Sequence, residues 1–293
     1  MLNNIGKWKV TTLETGDFRL DGGAMMGSVP KVLWEKTNPA DKFNRIQMVL
    51  RCLLLDDGVN RVLVDTGLGS KMDEKFKSFF HIVQSENPLK KELKKMDLLA
   101  GDITHVIFSH LHFDHAGGAT ELNEEGRPVP AFPNAEYFIT ESQWKQANHP
   151  NVRDKASFLQ KDFMPIQEAG QLQLIPENST IINGVSTYCV HGHTCGQQLV
   201  KLKDGDNCLI YCGDLIPLKS HLQLPWIMGY DLNALLTLDE KTQFLSQAAD
   251  ENWWLVFDHD PETSAVKIQE GKKYYDIVEE VLKVSDIKSL VNK

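Results

Sequence analysis

Residues Ser109 to Gly118 read Ser-His-Leu-His-Phe-Asp-His-Ala-Gly-Gly, directly after the apolar run Val106-Ile107-Phe108. Three imidazoles and a carboxylate within the six positions from His110 to His115 constrain this chain more than any other feature. The apolar run predicts a strand that ends there, with ligand-type side chains on the loop leaving it. Neutral imidazole and carboxylate are the donors that suit zinc and other borderline divalent ions. His110 and His112 point the same way if the backbone stays extended, whereas a helix would put them on different faces. Asp114 and His115 lie past the turn and reach a neighbouring position, which predicts two metal positions instead of one. A solvated loop gives no reason to concentrate imidazole in this way.

His-x-His-x-Asp-His after a hydrophobic strand resembles the signature of the metallo-β-lactamase superfamily, and later motifs follow in that family's order. Val190-His191-Gly192-His193-Thr194-Cys195-Gly196 resembles its Gly-His-Thr-x-Gly element, and Tyr211-Cys212-Gly213-Asp214 its strand ending in a bridging aspartate. Val256-Phe257-Asp258-His259 resembles the last strand with the last histidine. Asp65-Thr66-Gly67-Leu68-Gly69 looks like the Asp-Thr-Gly loop, with Asp65 expected to steady the metal loop as an acceptor, not to bind metal itself.

The resemblance runs from about Val49 to Pro261 and implies an α/β fold, an αββα sandwich with a dinuclear metal site at one edge. Residues 1–293 are read as a single domain. The resemblance implies two zinc ions per chain, the first held by His110, His112 and His193, the second by Asp114, His115 and His259, with Asp214 bridging. Ligand type alone leaves cobalt, manganese and iron open. Such ions bring the pKa of water toward about 7 and polarise a carbonyl or phosphoryl oxygen, so hydrolysis by a bridging hydroxide is the implied reaction class. Asp114 is expected also to orient the hydroxide and pass its proton to the leaving alkoxide. His191, two before His193, is set aside because the resemblance puts the ligand before Thr194.

Composition narrows the partners. The formal charge of -9 and the lack of a basic stripe argue against nucleic acid, which draws on Lys and Arg facing phosphates. Lys90-Lys91 and Lys94-Lys95 read as the wet side of a helix. Cys52, Cys189, Cys195, Cys208 and Cys212 show no repeated spacing and read as free thiols, which favours a reducing compartment. The first residues lack the pattern of an export signal and no apolar run reaches the length of a spanning helix, so no membrane partner and a cytoplasmic location are expected.

Alternation predicts strands over Lys9–Arg19, Gln47–Leu55, Arg61–Asp65, Tyr137–Thr140, Thr180–Val190, Gln198–Lys203, Asn207–Tyr211 and Trp253–Phe257. Helical spacing is read over Lys71–Leu99, Glu141–Asn148 and Lys272–Val284, and Thr237-Leu238-Asp239-Glu240 as a capping box opening a helix to about Asp250. The irregular stretch from His149 to about Gly170 is read either as a lid over the site or as the contact of a homodimer. Strand-rich segments before about Leu174 and after Thr180 predict two halves of a layered structure.

Within the family, many N-acyl-homoserine lactonases carry a tyrosine shortly after the bridging aspartate that helps bind the lactone carbonyl. Here the sequence after Asp214 has no tyrosine until Tyr230, and His221 is expected to take over that contact. The Asp21-Gly22-Gly23 then Met25-Met26 segment, the dinuclear motif, and an apolar set of Trp34, Trp226 and Met228 favour a quorum-quenching lactonase acting on a small-molecule N-acyl-homoserine lactone. The alternative is another ester or phosphotriester hydrolase of the same superfamily. A metal-storage or redox protein is a different class, separable by elemental analysis.

Overall fold

The computed structural model describes residues 4–82 and 87–282. Its first half holds strands β1 (Asn4–Ile5), β2 (Trp8–Asp21), β3 (Arg45–Asp56), β4 (Arg61–Val64), β5 (His105–Ile107), the small hairpin β6 (Thr120–Leu122) and β7 (Pro128–Pro130), then β8 (Glu136–Thr140) and β9 (Leu172–Ile175). The second half holds β10 (Thr180–Ile182), β11 (Val185–Val190), β12 (Gln197–Asp204), β13 (Asn207–Tyr211), β14 (Trp254–Val256), β15 (Thr263–Glu270) and β16 (Tyr275–Leu282). Each half forms its own seven-stranded sheet, in the orders β1-β2-β3-β4-β5-β8-β9 and β10-β11-β12-β13-β14-β15-β16. The division near residues 175–180 is the one the sequence predicts.

Strand β3 shows why two sheets stack. Met48 to Leu55 are all buried, so both faces of the strand are covered. Leu53 and Leu55 turn inward with Val62, Val64 and Ile107 to meet Val200, Leu202, Leu209, Tyr211 and Val256 of the other sheet. Cys52 and Leu54 turn the other way, with Leu63, Val106 and Phe108, toward an outer layer that includes Leu89, Leu93, Phe163 and Ile166. On the far side, Phe244, Leu245 and Ala248 of a long helix cover Leu199, Ile210 and Leu255. The result is helix, sheet, sheet, helix.

Eight α-helices connect the strands: α1 (Gly22–Met26), α2 (Lys31–Trp34), α3 (Glu74–Phe79), α4 (Pro88–Lys94), α5 (Phe113–Ala116), α6 (Glu141–Asn148), α7 (Gln160–Glu168) and α8 (Ala234–Asp250), among the described residues. The helical reading over Lys71–Leu99 resolves into two short helices, capped by Asp73 on Phe76 N and by Asn87 on Lys90 N. Residues 83–86 of that reading lie outside the described residues. Helix α7 was hidden by Pro165, whose ring cannot share the carbonyl of Lys161; Thr120 Oγ1 donates to that carbonyl instead, at 2.8 Å.

The expected terminal helix over Lys272–Val284 is a strand in its described part. β16 pairs with β15 from Thr263↔Leu282 to Glu270↔Tyr275, and only Val281 is buried. An edge strand exposed on both faces loses the alternation that separates strand from helix, and the ladder overrides the weak helical spacing. The capping-box reading at Thr237 is also corrected. The cap of α8 is Asn233, which accepts from Leu236 N at 3.2 Å, and Thr237 lies inside the first turn.

Candidate metal centre

Every ligand-type loop leaves a strand end on one edge of the sandwich. β4 delivers Asp65, β5 the loop Ser109–His112, β11 the loop to His193, β13 Asp214, and β14 Asp258 and His259. Side-chain bonds between the sheets fix their relative height: Gln198 Nε2 donates to Phe108 O at 2.8 Å, and Tyr211 Oη to Arg51 O at 2.7 Å. Helix α5 folds back under the first loop, where glycine is required by space. A Cβ on Gly118 would sit 2.2 Å from Thr66 O, and one on Gly117 2.3 Å from Leu68 O.

The outer nitrogens of three imidazoles are tied to acceptors. His115 Nδ1 lies 2.8 Å from Asp65 Oδ2, His193 Nδ1 3.0 Å from Asp231 Oδ1, and His259 Nδ1 2.9 Å from Val49 O. An acceptor at Nδ1 puts the proton there and leaves the Nε2 lone pair facing inward. Asp65 also accepts from Ser109 N at 2.6 Å and from Ser109 Oγ at 2.7 Å, so one buried carboxylate steadies two parts of the loop. Asp65 therefore has the supporting place expected for it.

The inward atoms gather into two clusters. His110 Nε2 lies 3.0 Å from His112 Nδ1, which lies 3.3 Å from His193 Nε2, and Asp214 Oδ2 is 3.0 Å from that nitrogen. In the second cluster His115 Nε2 and His259 Nε2 are 3.3 Å apart, with Asp214 Oδ1 at 3.7 Å and 3.4 Å from them. Asp114 Oδ2 stands 3.8 Å from His115 Nε2 and 3.7 Å from His259 Nε2. The two oxygens of Asp214 thus face different clusters. Imidazole lone pairs held this close repel unless a cation stands between them, so the donor set fits divalent ions.

Electrostatics agrees. Burial and neighbouring imidazoles hold His110 well below its ordinary value, and burial and His193 do the same for His112. Burial works against charge at His115 too, but Asp114, Asp214 and Asp65 outweigh it and hold that ring well above the usual range. His259 is likewise pushed up to about 9, because Asp258 and Asp214 overcome its burial. Positive charge is favoured where the carboxylates gather.

A cavity of about 560 Å³ opens above both clusters, touching His112, Asp114, His193, Asp214 and His259. Its lining is mostly apolar, with Leu20, Met25, Met48, Phe76, Phe80, Phe113, Met228 and Leu232. Met25 and Met228 therefore wall the cavity as expected, while Met26 and Trp34 are buried in the core, and Trp226, packed against that core, is not on the cavity wall. From the irregular stretch, Arg153, Asp154, Ala156 and Ser157 line the cavity, and Phe113 N donates to Ser157 O at 2.9 Å. That part of the stretch covers the site.

His221 is not where the carbonyl contact needs it. Its ring is buried, Nε2 lies 3.0 Å from Met25 O, and the cavity wall passes it by. Burial and the nearby Lys241 push it down to about 3. Tyr230 stands on the cavity wall instead. The chain doubles back after His221, and Gly229 N bonds Ala24 O at 2.7 Å while Arg153 donates to Gly229 O, which carries Tyr230 to the site.

Three supporting residues carried no sequence signal. Asp231 holds His193 from 38 positions away. Glu240, read as part of a cap, takes His191 N at 2.7 Å and Gly192 N at 2.9 Å, clamping the loop before His193. Arg51 is buried and donates to Phe257 O at 2.6 Å and Asp260 O at 2.8 Å on either side of His259. A third group, Glu177, Cys189 and His191, is close enough to share an ion. There Gly196 N donates to His191 Nδ1 at 3.2 Å, which leaves Nε2 carrying the proton, and no lone pair faces the other two.

Residues 51–259 match the family model described as the metallo-beta-lactamase superfamily. A probable metallo-hydrolase of Mycobacterium bovis is 25% identical over 254 residues, covering 75% of this chain and 77% of its own length. The solved structure of a probable metal-dependent hydrolase from Staphylococcus aureus superposes with a TM-score of 0.88 at 26% identity, covering 96% of this chain and 99% of that one. A dizinc quorum-quenching lactonase, AidC, solved with the product N-hexanoyl-L-homoserine, has a TM-score of 0.76 at 21% identity over 96% of this chain and 97% of its own.

Proposed function

Since the chain belongs to the metallo-β-lactamase superfamily, we propose that this metal-dependent hydrolase opens the lactone ring of N-acyl-homoserine lactones at a pair of zinc ions. The observation that carries the reading is the shape of the cavity. Apolar walls converge on a floor of histidines and aspartates, in a volume of about 560 Å³ that suits a small ligand with an apolar tail. The likeness to a lactonase solved with its opened product adds support.

His110, His112, His193 and Asp214 would hold the first ion, and Asp114, His115, His259 and Asp214 the second. When bound, the ions would supply Lewis-acid polarisation and water activated at neutral pH. The chain's own residues do the rest. Met25, Phe80 and Met228 bind the acyl chain and keep water from its length. Tyr230 donates its hydroxyl proton in a hydrogen bond to the ring carbonyl oxygen, the role first assigned to His221. Asp114, on the cavity floor between His115 and His259, receives the proton released by the attacking water and returns it to the ring oxygen as that bond breaks.

The test is hydrolysis of N-acyl-homoserine lactones of graded chain length beside aryl esters and phosphotriesters, before and after chelation. Lactones should be the best substrates by kcat/KM, with activity lost on chelation and restored by zinc. Aryl esters or phosphotriesters turned over faster than every lactone would refute the assignment.

A further inference from the structure

Asp258 is a carboxylate of the second cluster that the proposed chemistry leaves unused. It is only 1% exposed, and neither Oδ1 nor Oδ2 has a hydrogen-bond partner among the described residues. An ionised carboxylate held so far from water costs several kcal/mol unless a cation or donors compensate it, on the order of the penalty for any buried unpaired ion. The obvious cation does not compensate it. The two terminal nitrogens of Arg51 bond Phe257 O, Asp260 O and Glu14, and its Nε makes no hydrogen bond to Asp258 either. His259 Nε2 lies 3.7 Å from Asp258 Oδ2, within ion-pair reach but too far for a hydrogen bond, so both carboxylate oxygens stay unsatisfied.

What the oxygens of Asp258 do face is the second cluster. One of them, one oxygen of Asp214, and one nitrogen each of His115 and His259 all lie within 4.8 Å of one another. Those nitrogens are the Nε2 atoms, because each Nδ1 is engaged on the outside by Asp65 or Val49. We infer that Asp258 supplies a further carboxylate oxygen to the second cation, making that position richer in oxygen donors than the first. The inference rests on the proposed dinuclear centre.

The two positions then differ in kind. The first has three imidazoles and one shared carboxylate, the second two imidazoles with Asp114, Asp214 and Asp258 around it. Oxygen-rich sets suit manganese and related harder ions, whereas imidazole-rich sets suit zinc. The second position should therefore favour zinc over manganese less strongly than the first.

The experiment compares wild type with Asp258→Asn, an isosteric change that removes the charge. Chelator-competition titrations with zinc and with manganese give each position's affinity. In Asp258→Asn the second ion should bind about 10- to 100-fold more weakly, more so for manganese than for zinc, with the first ion unaffected. In wild type alone, the zinc-to-manganese affinity ratio should differ between the two positions, a measurement that stands even if the variant does not fold. Unchanged second-ion affinity in a folded Asp258→Asn, or equal ratios at both positions of wild type, would overturn the inference while leaving the dinuclear reading intact. Wild-type protein that takes up only one ion would overturn both.

Discussion

Replacing Asp65 by asparagine tests whether the support behind the metal loop sets its affinity. Asp65 accepts three hydrogen bonds, from Ser109 N, Ser109 Oγ and His115 Nδ1, at 2.6, 2.7 and 2.8 Å. Its φ of 56° lies in the left-handed region, which asparagine also tolerates, so the backbone is not the cause of any effect. Asparagine keeps one acceptor oxygen for Ser109 N, and the serine hydroxyl can rotate to accept. His115 has no such remedy. An amide NH₂ facing Nδ1 forces the proton onto Nε2, the atom turned toward the second metal position. One hydrogen bond to a charged group, about 1.5 to 3 kcal/mol, is lost. For a chain of this size that lowers the melting temperature by about 3 to 10 °C. The second ion should bind about 10- to 100-fold more weakly and the first within about two-fold of wild type. Chelator titration and elemental analysis read the affinities, and calorimetry reads the melting. A variant holding the second ion at wild-type affinity would show that the tautomer of His115 is not set by Asp65, and the reasoning would fail.

Asp231→Asn should loosen the first ion by about 10- to 100-fold and leave the second, because Asp231 holds His193 at 3.0 Å; metal analysis after dialysis checks it. Tyr230→Phe should lower kcat for lactones by about 100- to 1,000-fold with metal content unchanged, since one donor to the developing oxyanion is removed. His221→Ala should cost about 2 to 4 kcal/mol of stability in a denaturant melt, through a buried void and the loss of the bond to Met25 O, while both ions stay bound. Burial, partly offset by Lys71, pushes the Asp162 carboxyl up from 3.8 to about 6, so the folded chain holds its proton more tightly than the unfolded one. That contribution is fully present below about pH 4 and is lost as pH rises through 6, so the stability of wild type relative to Asp162→Asn should fall over this window and level off above pH 7.

What could be read in advance was whatever is local in sequence. The crowding of His110, His112, Asp114 and His115 behind an apolar strand is visible without a fold, and so is the split of the strands near residue 175. Asp231 and Tyr230 reach the site only because the chain after His221 returns across α1. No spacing announces that return, and the sequence just behind Asp214 points to His221, which lies off the cavity, whereas Tyr230 lines it. Glu240 failed differently: its local pattern is a good capping box, but His191 N and Gly192 N proved stronger claimants than its own helix. The terminal residues from Tyr275 to Leu282 show the converse limit, where a ladder to β15 decides the conformation and side-chain spacing does not.

The centre lies on the seam between the sheets. His110, His112, Asp114 and His115 belong to the first sheet, and His193, Asp214 and His259 to the second. A cation shared by both sets must therefore also hold the sheets together. Gln198, Tyr211 and Arg51 already bond across this seam, Arg51 to the carbonyls of Phe257 and Asp260 on either side of His259. Metal affinity and resistance to unfolding are then two measures of one coupling. At a free metal concentration about 1,000 times the dissociation constant, binding at one position adds about 4 kcal/mol to stability. It follows that variants in these cross-sheet residues, none of which is a proposed ligand, should weaken metal binding as they weaken the fold. Variants at Ile277 and Val278, whose side chains are exposed on the edge strand β16, should leave affinity unchanged.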